Sequence, residues 1–267
     1  MTDVLARERR MLILESARRR GAVRVGELTD RFEVSAVTIR RDLDALACAG
    51  VMKKVHGGAV AVSAPGFDET GFEARTGRQD ETKRAIAKAA ATLVEPGTAV
   101  AISAGTTALA VAKELLNVPR LTVLTNSLPV ADLLRAEREK KGARAPELLL
   151  TGGSPTPSCA LAGPVAERTI RALHVDLLIL GAHGVSARAG LTTPDLAEAQ
   201  TNRALIAAAR QVAVVADHSK WEIAGLARFA DLGDIHCFVT DSKLPGTAQA
   251  ILRKRVASLK LVTVRGR

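Results

Sequence analysis

From residue 81 onward the sequence alternates between short apolar runs and stretches of helical period, and this alternation narrows the fold more than any other feature. Runs at 98–102, 121–125, 147–151, 175–180, 212–215, 235–240 and 259–264 are β-branched or leucine-rich and of strand length. The segment 81–93 and intervening stretches such as 106–116, 164–173 and 195–209 place apolar residues at helical spacing. A strand reads as a near-continuous apolar run when both of its faces are covered. Residues 81–267 are therefore expected to form an α/β domain whose largely parallel sheet carries helices on both faces.

In such sheets ligands gather at the carboxyl ends of the strands. Four of those ends carry small polar loops: SAGTT with Ser103, Gly105, Thr106 and Thr107, TNS with Asn126 and Ser127, TGGS with Gly152 and Gly153, and GAHG with His183. A strand followed by Gly105-Thr106-Thr107 and then a helix offers free amides, two hydroxyls and the positive end of a helix dipole, which suits a phosphate or another anion. Glycine and threonine also serve as plain turn and cap residues. Four such loops on one edge point to a small-molecule pocket. Farther on, VADHSKW sets Asp217, Ser219 and Lys220 after a strand, with Lys220 either neutralising an anion or lying over Trp221. GLTTPDLAEAQ places Thr192 and Thr193 before a helix that Asp195 caps, with Glu198 in its first turns as a dipole partner.

Residues 1–61 follow another pattern. Leu5, Leu12 and Ala17, with Met11, Ile13 and Leu14, predict a helix over about residues 4–19 that Gly21 ends. Residues 22–25 are a short β-prone piece, 26–32 a second helix through Leu28 and Phe32, and Glu33-Val34 the turn into VSAVTIRRDLDALACAG at 34–50. There Ser35 is placed to cap a helix that Gly50 stops, and Ile39, Leu43 and Leu46 turn one stripe toward a small core. Val37, Thr38, Arg40 and Arg41 cluster in the first two turns, mostly off that stripe. Two guanidinium forks, a hydroxyl and a branched methyl are groups that read base edges in a major groove. Asp42 and Asp44 are poor phosphate neighbours and are expected to pin arginines or face solvent.

Two short helices joined by a tight turn, the second one basic, read as a helix-turn-helix. VMKKVHGGAV then suggests a two-stranded wing around Gly57-Gly58, along which Lys53, Lys54 and His56 would follow phosphates; His56 serves equally well as a turn residue. Residues 62–80, rich in Ala, Pro, Gly, Ser and Thr without a period, are a linker, with Phe67 and Phe72 as docking points.

Composition fits a polyanionic partner: Lys plus Arg exceed Asp plus Glu by 38 to 28, a net charge of +10. Double-stranded DNA suits better than single strands, since the chain has no Tyr and the single Trp221 to stack on bases. No run of 18 apolar residues spans a bilayer and the first residues lack the pattern of a signal peptide, so no membrane role and a cytoplasmic location are expected. Cys48, Cys159 and Cys237 lack CxxC spacing and read as reduced small hydrophobes, without a disulfide, a zinc site or a cofactor.

Over residues 11–60, SAVTIRRDLDAL followed by GVMKKVHGGAV resembles the N-terminal domain of the DeoR family of bacterial repressors. SAGTT, TNS, TGG, LAGP, LHVDLLILGAHG, GLTTPD and ADHSKW occur in that family's order through the remainder. The resemblance implies a winged helix-turn-helix on operator DNA at 1–61, the linker at 62–80, and an effector-binding and oligomerisation domain at 81–267. It also implies for the latter a fold similar to ribose-phosphate isomerases and coenzyme A transferases, and a phosphorylated sugar as effector. Ser103 and His183 stand where the family usually has Asp, which removes two acceptors for sugar hydroxyls. Paired half-sites make a homo-oligomer the expectation. Two other readings compete: a sugar-phosphate isomerase or acyl transferase with Glu198 as base and Lys220 as electrophile, and a metal site at His183, Asp217 and His218.

Overall fold

The computed structural model describes residues 6–20, 22–48, 52–55, 57–61 and 80–264. Gly21, Gly50, His56 and the linker through residue 79 lie outside them, as does the side chain of Lys53. The chain divides into two units, 1–75 and 76–267.

In the first unit, helix α1 (Ala6–Arg20), strand β1 (Ala22–Arg24), helices α2 (Val25–Phe32) and α3 (Ala36–Cys48), and strands β2 (Met52–Val55) and β3 (Gly58–Ala61) follow in order. Ile13 and Ala17 of α1, Leu28 of α2, and Ile39, Leu43 and Leu46 of α3 share one small core with Val23, Met52 and Ala59. The wing is antiparallel, with Val55 opposite Gly58. The β-prone piece is shorter than expected, Val25 already belonging to α2, and it joins the wing as a third strand with Ala22 opposite Val60. Cross-strand register of that kind follows from tertiary packing, and three residues carry no period that reveals it.

The second unit is organised by a seven-stranded sheet in the order β15-β14-β12-β9-β4-β5-β6. Its strands are β4 (Ala99–Ile102), β5 (Thr122–Thr125), β6 (Glu147–Leu150), β9 (Val175–Gly181), β12 (Ala209–Val215), β14 (Cys237–Asp241) and β15 (Ser258–Val262). Every neighbouring pair is parallel. All seven apolar runs expected as strands are thus in one sheet. Helices α4 (Asp80–Ala91), α5 (Thr106–Glu114) and α6 (Leu128–Lys141) bury Ile86, Val111 and Leu134 against one face, where Ile102, Val123, Ile179 and Val215 point. Helices α7 (Pro164–Arg171), α8 (Leu196–Ala208) and α9 (Gly246–Arg255) bury Ile170, Leu205 and Leu252 against the other, with Leu124, Leu178, Leu180 and Val214. Alternate residues of β9 and β12 feed opposite cores, as a two-sided sheet requires.

The chain runs from β4 outward to β6, then returns to β9 on the other side of β4 and continues to β15. The strand order therefore reverses between β4 and β9, the place where sheets of this kind form a crevice beyond the carboxyl ends. Two smaller pieces frame that edge: a hairpin of β7 (Ser154–Pro155) and β8 (Leu161–Ala162), and an antiparallel sheet of β10 (Gly184–Ser186), β11 (Gly190–Thr193) and β13 (Ala227–Ala230). Thr192 and Thr193, placed before a helix by the sequence, are buried residues of β11 that precede α8. Among the described residues no helix is long and apolar enough to cross a membrane.

Candidate functional site

Helix α3 separates its two faces cleanly. Ile39, Leu43 and Leu46 are buried, while Val37, Arg40 and Arg41 are exposed and Thr38 is half-buried. Ser35 starts the helix as expected: its Oγ accepts the Thr38 amide at 3.2 Å and meets Thr38 Oγ1 at 2.9 Å. Left-handed Glu33 (φ 52°) closes α2 and makes the turn into α3 tight. Asp42 pins arginines, as expected: it is buried, its Oδ2 accepts Arg9 Nε at 2.6 Å and its Oδ1 accepts Arg10 Nε at 2.8 Å. Asp44 faces solvent and pairs with Lys54 of β2 at 2.5 Å, which partly neutralises that lysine. Their exposure keeps the pair weak.

On the sheet edge, the loops after β4 and β9 flank the crevice. Ser103, only 2% exposed, accepts the Gly181 amide on Oγ at 2.9 Å and so ties the end of β4 to that of β9. Gly105 is the N-cap of α5, with φ 135°, no side chain closing the first turn, and open space where a Cβ would stand. The first amides of α5, with half-buried Thr106 and buried Thr107, lie where the sequence suggests an anion cradle. Ser127 is fully buried and caps α6 by accepting the Val130 amide at 3.4 Å. Asn126 donates from Nδ2 to Leu161 O at 3.1 Å, while its buried Oδ1 has no partner among the described residues. Gly152 is left-handed at φ 69°; Gly153, at φ 117°, has Ala162 O only 2.7 Å from where a Cβ would be, so it serves the approach of β8. His183 and Lys220 are half-buried and each has an interaction partner.

One expected cap and three features not legible beforehand complete this edge. Asp195 caps α8 by accepting the Glu198 amide at 2.8 Å, as expected. Glu198 is more than a dipole partner: Oε1 accepts Thr156 Oγ1 at 2.6 Å and Ser158 Oγ at 2.5 Å, and Oε2 accepts Thr193 Oγ1 at 3.3 Å. Fully buried Asp241, at the end of β14, accepts the His218 amide and faces His218 Nδ1, both at 2.8 Å. Lys83, in the first turns of α4, is 6% exposed and partnered, on a helix packed against β12 and β14. The contacts of Glu198 with Thr156 and Ser158 and of Asp241 with His218 span 23 to 42 residues of sequence and leave no local motif. Among the described residues no group of three or more His, Cys, Asp and Glu is placed to hold a metal. Cys237 lies in the core, where burial pushes its thiol pKa up against the weaker opposing influences of Lys260 and Ser258.

A model of the DeoR-like helix-turn-helix domain matches residues 9–64, and one of the DeoR C-terminal sensor domain matches residues 78–242. The chain belongs to the DeoR family. It is thereby placed among DNA-binding transcriptional regulators, and the sensor match covers every position from Ser103 to Lys220. An uncharacterized HTH-type transcriptional regulator of Escherichia coli K12, YgbI, is 35% identical over 94% of this chain and 96% of its own length. The glycerol-3-phosphate regulon repressor of the same organism is 31% identical over 93% of this DeoR chain and 96% of that protein. Among solved structures, ribose 5-phosphate isomerase A of Methanocaldococcus jannaschii overlaps with a TM-score of 0.38 and 20% identity over 52% of this chain and 53% of that one.

Proposed function

We propose that this DeoR-family chain is a repressor that reads double-stranded operator DNA through α3 and is released by a small phosphorylated effector, a sugar phosphate or a close relative. The observation that carries it is the division of α3 into a buried apolar stripe and an exposed face of Val37, Arg40 and Arg41. Residues 1–61 bind DNA, 62–80 link, and 81–267 bind effector and assemble the oligomer. The wing residues Lys53, Lys54 and His56 follow the backbone phosphates, supplying affinity without sequence information.

The phosphate rests on the first amides of α5 at Gly105, Thr106 and Thr107, with Lys220 as counter-charge. Ser103, Ser127, Gly152 and Gly153 hold the loops in place around it, and Asn126 and His183 face the remainder of the ligand. Glu198 supplies the carboxylate that Ser103 and His183 no longer do. Its hydroxyl cage argues for a binding role over proton transfer, and we assign no catalytic residue, cofactor or metal. A DNA-reading chain acts where the chromosome is, in the cytoplasm of a bacterium. Homo-oligomerisation has a physical site in β6, the edge strand of the sheet, on which Leu149 and Leu150 are both exposed.

A thermal-shift screen of phosphorylated sugars, their unphosphorylated parents and inorganic phosphate tests the effector. A ligand that binds the native state raises the melting midpoint by mass action. At least one phosphorylated sugar is expected to do so in the native chain and to lose the effect in Gly105→Val, which fills the open space at the cap. Hits confined to unphosphorylated compounds contradict the cradle.

A further inference from the structure

Asp42 holds two guanidiniums of very different exposure. Arg9 alone, with its side chain 9% exposed and its Nε at 2.6 Å, already anchors the carboxylate between α1 and α3. Arg10 adds a second guanidinium to the same carboxylate at 2.8 Å, yet its side chain stays 42% exposed while that of Asp42 is 3% exposed. Of the two guanidiniums, that of Arg10 lies on the solvent side of the carboxylate. The pair on β2 is different: Lys54 and Asp44 are matched one to one.

Position decides what the exposed Arg10 guanidinium faces. Asp42 follows Arg41 directly in α3, so the Arg10 fork sits where α1 meets the border of the exposed face. A helix about 10–12 Å across fills a major groove about 12 Å wide, and the sugar-phosphate ridges then run along its flanks. A cation on the neighbouring helix at that border meets a ridge, not a base.

We infer that Arg10 is a phosphate-binding residue, oriented by Asp42, and that Asp42 is a positioning residue fixing the roll of α3 so that Arg40 and Arg41 enter the groove squarely. Apolar packing of Ile39, Leu43 and Leu46 is non-directional and tolerates rotation; two hydrogen-bonded guanidiniums on one carboxylate do not. Arg10 therefore adds affinity for any duplex, and Asp42 adds discrimination between duplexes. The inference rests on the reading of α3 as the DNA-reading helix.

The test uses the full chain, a duplex enriched from a random library on that chain, and an unrelated duplex of equal length, each titrated over a potassium chloride series. Neutralising one phosphate contact flattens the slope of log K against log salt by about 0.9. Arg10→Gln is expected to show that flattening on both duplexes with equal fractional loss of affinity, and Arg10→Lys to keep the native slope. Asp42→Asn is expected to bring the two affinities together without flattening the slope. The double variant Arg10→Gln/Asp42→Asn takes the carboxylate from Arg9 just as Asp42→Asn does, and must be flatter than Asp42→Asn by the same amount. A native slope in Arg10→Gln and in the double variant overturns the phosphate contact, and undiminished discrimination in Asp42→Asn overturns the positioning role. Arg41→Ala separates the two levels: if it leaves discrimination intact the reading of α3 has failed, and if it abolishes discrimination while Arg10→Gln keeps the native slope only this inference has.

Discussion

Arg41 and Asp42 are chain neighbours with opposite fates, and the difference is a matter of helical angle. Arg41 is exposed, while Asp42 turns inward to two guanidiniums of α1. A guanidinium that meets a guanine edge bidentately discriminates by about 1–3 kcal/mol. Arg41→Ala is therefore expected to weaken binding to a selected duplex by roughly that amount, leave the unrelated duplex less affected, and relax the preference at one base position. Binding measured on a panel of single-base variants checks it, and an unchanged panel removes Arg41 from the reading surface. On the sheet edge, Ser103 shows how one residue changes what a loop does. With its Oγ accepting the Gly181 amide, it closes β4 onto β9, and the acceptors facing a ligand must come from elsewhere.

At the scale of elements, the hairpin of β7 and β8 is fastened to the start of α8 by a single carboxylate. Glu198 accepts three hydroxyls, two of them from the hairpin at Thr156 and Ser158. Hydrogen bonds to a charged group contribute about 1.5–3 kcal/mol each, less where water reaches them. Glu198→Gln is expected to lower the melting midpoint and to speed amide exchange across residues 154–162 more than in β4 or β9. Exchange that rises uniformly, or not at all, contradicts the latch. The elements differ in how far the sequence announced them. The inner strands of the parallel sheet were legible because two-sided burial writes continuous apolar runs, and α3 was legible because one-sided burial writes Ile39, Leu43 and Leu46 at helical spacing. The β10-β11-β13 sheet and the β7-β8 hairpin were not, since strands of two to four residues with glycine, serine and proline have no period. In the cradle, Gly105, Thr106 and Thr107 were legible as a strand-to-helix turn, whereas Lys83 and the His218–Asp241 pair depend on which strands become neighbours.

For the whole molecule, the claim is that occupation of the sheet edge in 81–267 changes how residues 1–61 hold DNA. Such coupling is a free energy shared between two sites: a ligand that changes duplex affinity by some factor has its own affinity changed by the same factor. Tight binding alone shifts nothing unless the ligand distinguishes two arrangements of the oligomer. The direct measurement is fluorescence anisotropy of a selected duplex with the full chain at fixed salt, with and without the phosphorylated compound that most raises the melting midpoint. The account predicts that the compound weakens duplex binding by about 5-fold or more, within the usual range of allosteric coupling, and that the duplex weakens the compound by an equal factor. A compound that stabilises the chain while leaving duplex affinity unchanged would contradict it.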